Sequence, residues 1–109
     1  MKQVILSGSA NTTATFKIEG DMTVHLTFHG TCFSTADNQP VSLDLYLNGN
    51  NIATATGYSN DSQQHRLLCP VVVPVDLSQD FNKELKIEIK AGPNTTIDQN
   101  DRFTVYIDY

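Results

Sequence analysis

The stretch VSLDLYLNGNNIATATG, Val41 to Gly57, decides the class of fold. Val41, Leu43, Leu45 and Leu47 alternate with Ser42, Asp44 and Tyr46, the two-residue period of a strand with one buried and one solvated face. Asn48-Gly49 then supplies the residue pair that best tolerates the two positive φ angles of a type I′ turn. The stretch therefore predicts a β-hairpin, with Leu47 and Ile52 as neighbours across the turn.

The same period recurs on both sides of it. TATFKIE places Ala14, Phe16 and Ile18 on one face, and MTVHLTF does so with Met22, Val24, Leu26 and Phe28. ELKIEIK turns Leu85, Ile87 and Ile89 inward, and RFTVYID turns Phe103, Val105 and Ile107 inward. LLCPVVVPV is a continuous apolar run interrupted by Pro70 and Pro74; proline cannot donate to a ladder, so this segment either lies at a sheet edge or has its donor-free positions where pairing stops. The polar runs FSTADNQP, GYSNDSQQ and DLSQDFNK are long enough to cross from one sheet to another. No window of ten or more residues carries a helical period, and helix is limited to about one turn near Leu77 to Asn82. Counting Lys2 to Ser7 as a first strand gives about eight. One domain spanning residues 1–109 is expected, an all-β, two-sheet antiparallel sandwich of jelly-roll type.

Composition narrows the partners. A net charge of −5 with seven Lys and Arg leaves no row of cations to displace counterions from a phosphate backbone, so nucleic acid is excluded as a partner. Val4, Ile5 and Leu6 are too short a run for the core of a secretory signal, and nothing approaches the roughly 18 apolar residues of a membrane span. Membrane insertion is therefore not expected. Cys32 and Cys69 lack the paired spacing of a zinc site and are expected as two buried thiols, with a single bridge as the alternative.

With the strands placed, EGDMTVHLTF, VSLDLYLNGNNIATATG, CPVVVPVDL, ELKIEIKAG and RFTVYIDY together resemble the jelly roll of tumour-necrosis-factor and complement-globular-head domains, from Phe16 to Tyr109. That resemblance implies a homo-oligomer, in particular a trimer, and a surface-recognition role, since members serve as receptor ligands, surface modules and sugar-binding heads. A second likeness concerns NTTIDQNDRFTV, which is similar in position and composition to the metal loop before the final strand of calcium-dependent bacterial galactose-binding lectins. It assigns no ligand by position.

Asp98, Asn100 and Asp101 in that loop are oxygen donors of the kind calcium takes, and calcium is the cofactor they suggest. The competing account is turn chemistry alone, because Gly92, Pro93, Asn94 and the aspartates all populate tight turns. A calcium site would need a neighbouring loop, the one carrying Asp37 or Asp61, to close over it. His25, Thr27 and His29 share the polar side of one strand, but the two histidines stand about 13 Å apart at the usual rise, too far to share an ion, and His65 is not expected to bridge them. A carbohydrate site needs an aromatic face beside amide and carboxylate groups; Tyr58, next to Asn60 and Asp61, is the leading candidate and Tyr46 the other. No nucleophile elbow or glycine-rich phosphate loop is present, and Cys32 with His29 or His65 is the one thiolate pairing available. Catalysis is not expected. The reading is a non-enzymatic recognition domain for carbohydrate or a cell-surface protein, in an extracellular or surface setting. Its alternatives are a shell, fibre or appendage subunit and a monomeric calcium-dependent carbohydrate-binding module.

Overall fold

The structure, a computed structural model, describes residues 2–9, 12–17, 23–76 and 84–108. Among them are nine strands: β1 (Lys2–Ser9), β2 (Thr13–Lys17), β3 (Thr23–Cys32), β4 (Gln39–Leu47), β5 (Asn50–Ser59), β6 (Arg66–Leu67), β7 (Val71–Asp76), β8 (Glu84–Ala91) and β9 (Arg102–Asp108). The expected helical turn near Leu77 to Asn82, and Ile18 and Met22, lie outside the described residues.

Two antiparallel sheets form. One runs β1-β9-β3, with β6 and β7 following one another along the far edge of β3; the other runs β2-β8-β4-β5. If β6 and β7 are taken as one strand broken at Pro70, the eight-strand jelly-roll order results, with successive strands passing between sheets except at the β4–β5 hairpin. The break has a local cause. Leu68 N–H still donates to the Gly30 carbonyl at 3.0 Å, after which Pro70 has no donor to offer β3.

Alternation positions the core as the sequence predicts. Val24, Leu26 and Phe28 of β3, Val41, Leu43, Leu45 and Leu47 of β4, Leu85, Ile87 and Ile89 of β8, and Phe103, Val105 and Ile107 of β9 are all buried between the sheets. Burying each side chain of this size is worth about 1.5–3 kcal/mol, which is what holds two sheets without a covalent link. Neither cysteine is bridged.

Two expectations need correction. Asn48 and Gly49 have φ of 50° and 85°, as a type I′ turn requires, but the turn joins Leu47 to Asn50 rather than to Ile52. The register then shifts, Tyr46 pairing with Asn51 and Leu45 with Ala53, so that Ile52 is the extra residue of a bulge. That shift restores the phase in which buried Ala55 opposes Leu43. Cys69, expected to be buried, is exposed. Leu68 takes the inward position, and a two-residue period turns both its neighbours, Leu67 and Cys69, outward.

Candidate functional site

Two places bring the candidate residues together. The first is the end of the sandwich where β3 stops, the β8–β9 loop passes and the β5–β6 loop returns. Phe33 and Thr96 exchange backbone hydrogen bonds, Phe33 N–H to the Thr96 carbonyl at 3.0 Å and Thr96 N–H to the Phe33 carbonyl at 2.7 Å, which fastens the β8–β9 loop to the end of β3. The loop begins tightly. Gly92 N–H donates to the Ser42 carbonyl at 3.0 Å, and a Cβ at position 92 would fall 1.9 Å from Ser42 Oγ. Asn94 adopts φ 59°, and Thr95 Oγ1 accepts from Ser42 N–H at 2.9 Å. Asn94 thus suits the left-handed corner of the connection, and Gly92 leaves room for the Ser42 side chain as it stands.

Asp101 organises the second half of the loop. Its side chain is wholly buried, an expensive place for a carboxylate unless its oxygens are filled. They are: Oδ2 accepts Asp98 N–H at 2.9 Å, and Oδ1 accepts Thr31 Oγ1–H at 2.8 Å and His65 Nδ1–H at 2.6 Å. Asp101 N–H donates back to the Asp98 carbonyl at 3.0 Å. Asp98 Oδ1 in turn accepts Asn100 N–H at 2.8 Å, and the Ser9 hydroxyl donates to the Gln99 carbonyl. His65 lies against the Phe33 ring, centroids 4.5 Å apart, and its Nε2 stands 3.8 Å from Asp98 Oδ2. One ligand-capable atom from each of His65, Asp98 and Asp101 lies within 4.8 Å of the others, a grouping that could hold a metal ion.

The β5–β6 loop does close over the aspartates, but it brings His65, not Asp61. Asp61 gives its carbonyl to Ser59 Oγ–H at 2.8 Å, the Asn60 carbonyl accepts Asn38 N–H at 3.1 Å, and Asp37 Oδ1 caps Ser62 N–H at 2.6 Å. These contacts pin the two polar loops to each other. His65 was missed because 33 positions separate it from Asp98 and only the path of a non-periodic loop joins them. His25 is exposed and His29 half-buried, on the outer face of β3.

Asp101 also acts on the neighbouring core. Cys32 is buried at the end of β3; burial first, and the Asp101 charge second, push its thiol up to about 11. A thiol so held is protonated at neutral pH and is a poor nucleophile. That argues against the pairing of Cys32 with His65 as a thiolate couple.

The second place is the outer face of the four-stranded sheet. Side chains alternate outward at Pro40, Ser42, Asp44 and Tyr46 of β4, opposite Tyr58, Thr56, Thr54 and Asn51 of β5. The Pro93-Asn94 corner overhangs one end of this face. Beneath it is a cleft of about 300 Å³ lined by Pro40, Val41, Ser42, Thr54, Thr56, Gly57, Pro93 and Asn94. No lining residue is charged. Tyr58 pairs with Pro40 and, 53% exposed, stands at the cleft's margin. Of the sequence-predicted binding residues, Tyr58 alone borders the cleft. Tyr46 lies on the same face but six residues along β4 from Pro40, about 20 Å. The Lys90 ammonium sits 4.5 Å from its ring centre, a cation–π contact that occupies the face a sugar would use. Asn60 and Asp61 belong to the loop beyond Tyr58 described above.

No protein-family model matches the chain, and no curated protein does. Among solved structures it is similar to a chain of the infectious bursal disease virus Gx strain, with 10% identity and a TM-score of 0.38 over 97% of this chain. It spans 29% of that chain's length, and a likeness of this size carries no functional argument. None of these comparisons supports the resemblance to tumour-necrosis-factor and complement-globular-head domains; what the structure shows is an all-β, two-sheet sandwich.

Proposed function

We propose that this is a non-catalytic binding domain whose ligand is a neutral carbohydrate held in the cleft of the four-stranded sheet. One observation carries the reading: the cleft's lining is uncharged and mainly apolar, with Ser42, Thr54, Thr56 and Asn94 among two prolines, a valine and a glycine, beside an exposed tyrosine. A few convergent polar groups on an apolar floor is the composition of small-molecule sites, and about 300 Å³ stands at the lower end of their range. Thr54 Oγ1 donates to Asp44 Oδ1 at 2.7 Å, which leaves its lone pairs to accept from a ligand hydroxyl. Tyr58 offers the ring face against which the apolar side of a pyranose packs. A glycan array probed with the protein and with Tyr58→Ala tests this: binding to a defined set of neutral glycans, lost in the variant, is expected. Binding to none, or equal binding by both proteins, contradicts it.

A second reading, assembly with further copies of the chain, is favoured by the other sheet. Val4, Leu67 and Val72, 58%, 69% and 59% exposed, share the outer face of the five-stranded sheet with Tyr106 and Thr27. Exposed charge on β3, β7 and β9 lies toward the ends of that face, Arg102 at one and Asp76 and Asp108 at the other. Two copies meeting head to tail on it would cover apolar surface and oppose unlike charges. Light scattering decides between them: 12.0 kDa means a monomer, and a multiple of it reduced by Val72→Glu supports assembly.

A further inference from the structure

We infer that His65 and Asp98 form a binding site for a divalent transition-metal ion of the zinc class, with Asp101 as the positioning residue that orients the imidazole. This site is distinct from the cleft and does not depend on what the cleft binds.

The argument begins with hydrogen-bond inventory. Both Asp101 oxygens act as acceptors, so the contact of 2.6 Å to His65 requires the proton on Nδ1. In the neutral ring Nε2 then presents a lone pair, and it points toward Asp98 Oδ2 at 3.8 Å. Oδ1 of Asp98 is engaged by Asn100 N–H, which leaves Oδ2 as the oxygen facing the ring. A positive centre between lone pair and carboxylate relieves their repulsion: a proton on Nε2, which makes an imidazolium paired with Asp98 across 3.8 Å, is one, and a metal ion held by both atoms is the other. The spacing suits the metal ion. Zinc bonds of about 2.0–2.2 Å to nitrogen and oxygen at a near-tetrahedral angle set the two ligand atoms about 3.4 Å apart, a closure of a few tenths of an ångström.

The surroundings are those of a ligating histidine. Such a residue donates its second ring N–H to a carboxylate or carbonyl, which fixes tautomer and orientation. Asp101 does this from a wholly buried position, locked by Thr31 and the Asp98 backbone, and Phe33 supports the ring plane. With all its contacts taken, Asp101 is a support for the site and not a third ligand. The His65 and Asp98 side chains are each 32% exposed, so an ion and the waters completing its shell have access. One imidazole and one carboxylate select zinc, nickel or copper over calcium, which takes oxygen ligands throughout. Calcium, suggested by the loop's composition, is the ion this donor set disfavours.

The test is calorimetric titration with ZnCl2 and, separately, CaCl2. Cys69→Ser serves as the background, because an exposed thiol binds zinc on its own account. One zinc per chain and no saturable calcium binding are expected. Asp98→Asn, which keeps the Asn100 contact through its remaining oxygen, is expected to weaken zinc at least tenfold, and His65→Ala likewise. Asp101→Asn reads the positioning role: its amide can donate to Nδ1, which moves the ring proton to Nε2 and weakens zinc by about 10–100-fold in a folded protein. The nitrogen resonances of His65 report that tautomer directly. No saturable zinc binding overturns the inference. So does zinc binding unchanged by Asp98→Asn and His65→Ala, which would place the ion on His25 or His29, and so does calcium binding as tightly as zinc.

Discussion

Replacing Asp101 separates the chemistry of its carboxylate from the space it fills. Asp101→Ala removes acceptors for three donors, Asp98 N–H at 2.9 Å, Thr31 Oγ1–H at 2.8 Å and His65 Nδ1–H at 2.6 Å. A hydrogen bond to a charged group contributes about 1.5–3 kcal/mol net. The Thr31 hydroxyl can rotate and the His65 ring can reach water, so they lose less than the part-buried Asp98 amide. The sum is about 3–5 kcal/mol, a large share of a small domain's stability. Asp101→Asn has the same shape and a different outcome. With its carbonyl on Asp98 N–H and its amino group toward Thr31 and His65, every contact can be remade once the hydroxyl turns and the ring changes tautomer. What is lost is charge assistance, about 1–2 kcal/mol. Urea unfolding of the three proteins at neutral pH gives the comparison, with unchanged m-values showing that the transitions are alike. A value for Asp101→Ala within about 0.5 kcal/mol of the parent would refute the view that this carboxylate holds the loop. An Asp101→Asn loss equal to that of Asp101→Ala would refute the reorganisation.

Three further outcomes follow from the core and the two thiols. A Cβ at Gly30 would lie 2.5 Å from Phe103 Cδ1 and 3.2 Å from Leu43 Cδ1, both buried, so Gly30→Ala is expected to lower stability by about 1–3 kcal/mol in the same assay. Because burial raises the Cys32 thiol from 9.0 to about 11, the folded state keeps a proton that the unfolded chain gives up first. Stability from this group is then complete below about pH 9 and declines as pH rises toward 11, and Cys32→Ala should show a flatter profile over that window. An identical slope in the variant would contradict the assignment. Disulfide-exchange reagents should modify Cys69 in the folded protein and reach Cys32 only on unfolding.

Much of the architecture is legible because a strand's burial pattern is local. The alternation from Val41 to Leu47 and from Phe103 to Ile107 needs no knowledge of the partner strand to say which side is buried. The β4–β5 turn is legible for the same reason, down to its positive φ angles. Its register is not, because the bulge at Ile52 answers to Leu43 and Ala55 on the core side rather than to the turn. The exposure of Cys69 could have been read, since a two-residue period through Leu68 turns it outward; its apolar neighbours hid that phase. Asp98 and Asp101 were legible as loop carboxylates, but not their division of labour: one is buried and consumed by three donors, the other faces an imidazole delivered by the β5–β6 loop. The cleft is the least local feature. Pro93 and Asn94 overhang strands some 40–50 positions earlier in the chain, and only the return of β8 beside β4 brings them there. Tyr58 is named from its residue type alone, and the cleft it borders is lined by neither Asn60 nor Asp61.

The central claim is that the cleft beside Tyr58 recognises a neutral sugar. Its most direct measurement is an amide-resolved NMR titration with galactose, glucose, mannose and N-acetylglucosamine at millimolar concentrations, on the parent protein and on Tyr58→Ala. The account predicts that at least one sugar shifts resonances confined to residues 41–42, 54–58 and 94, saturably, and that the shifts vanish in the variant. Absence of shifts with every sugar, or shifts clustered elsewhere on the domain, would contradict it.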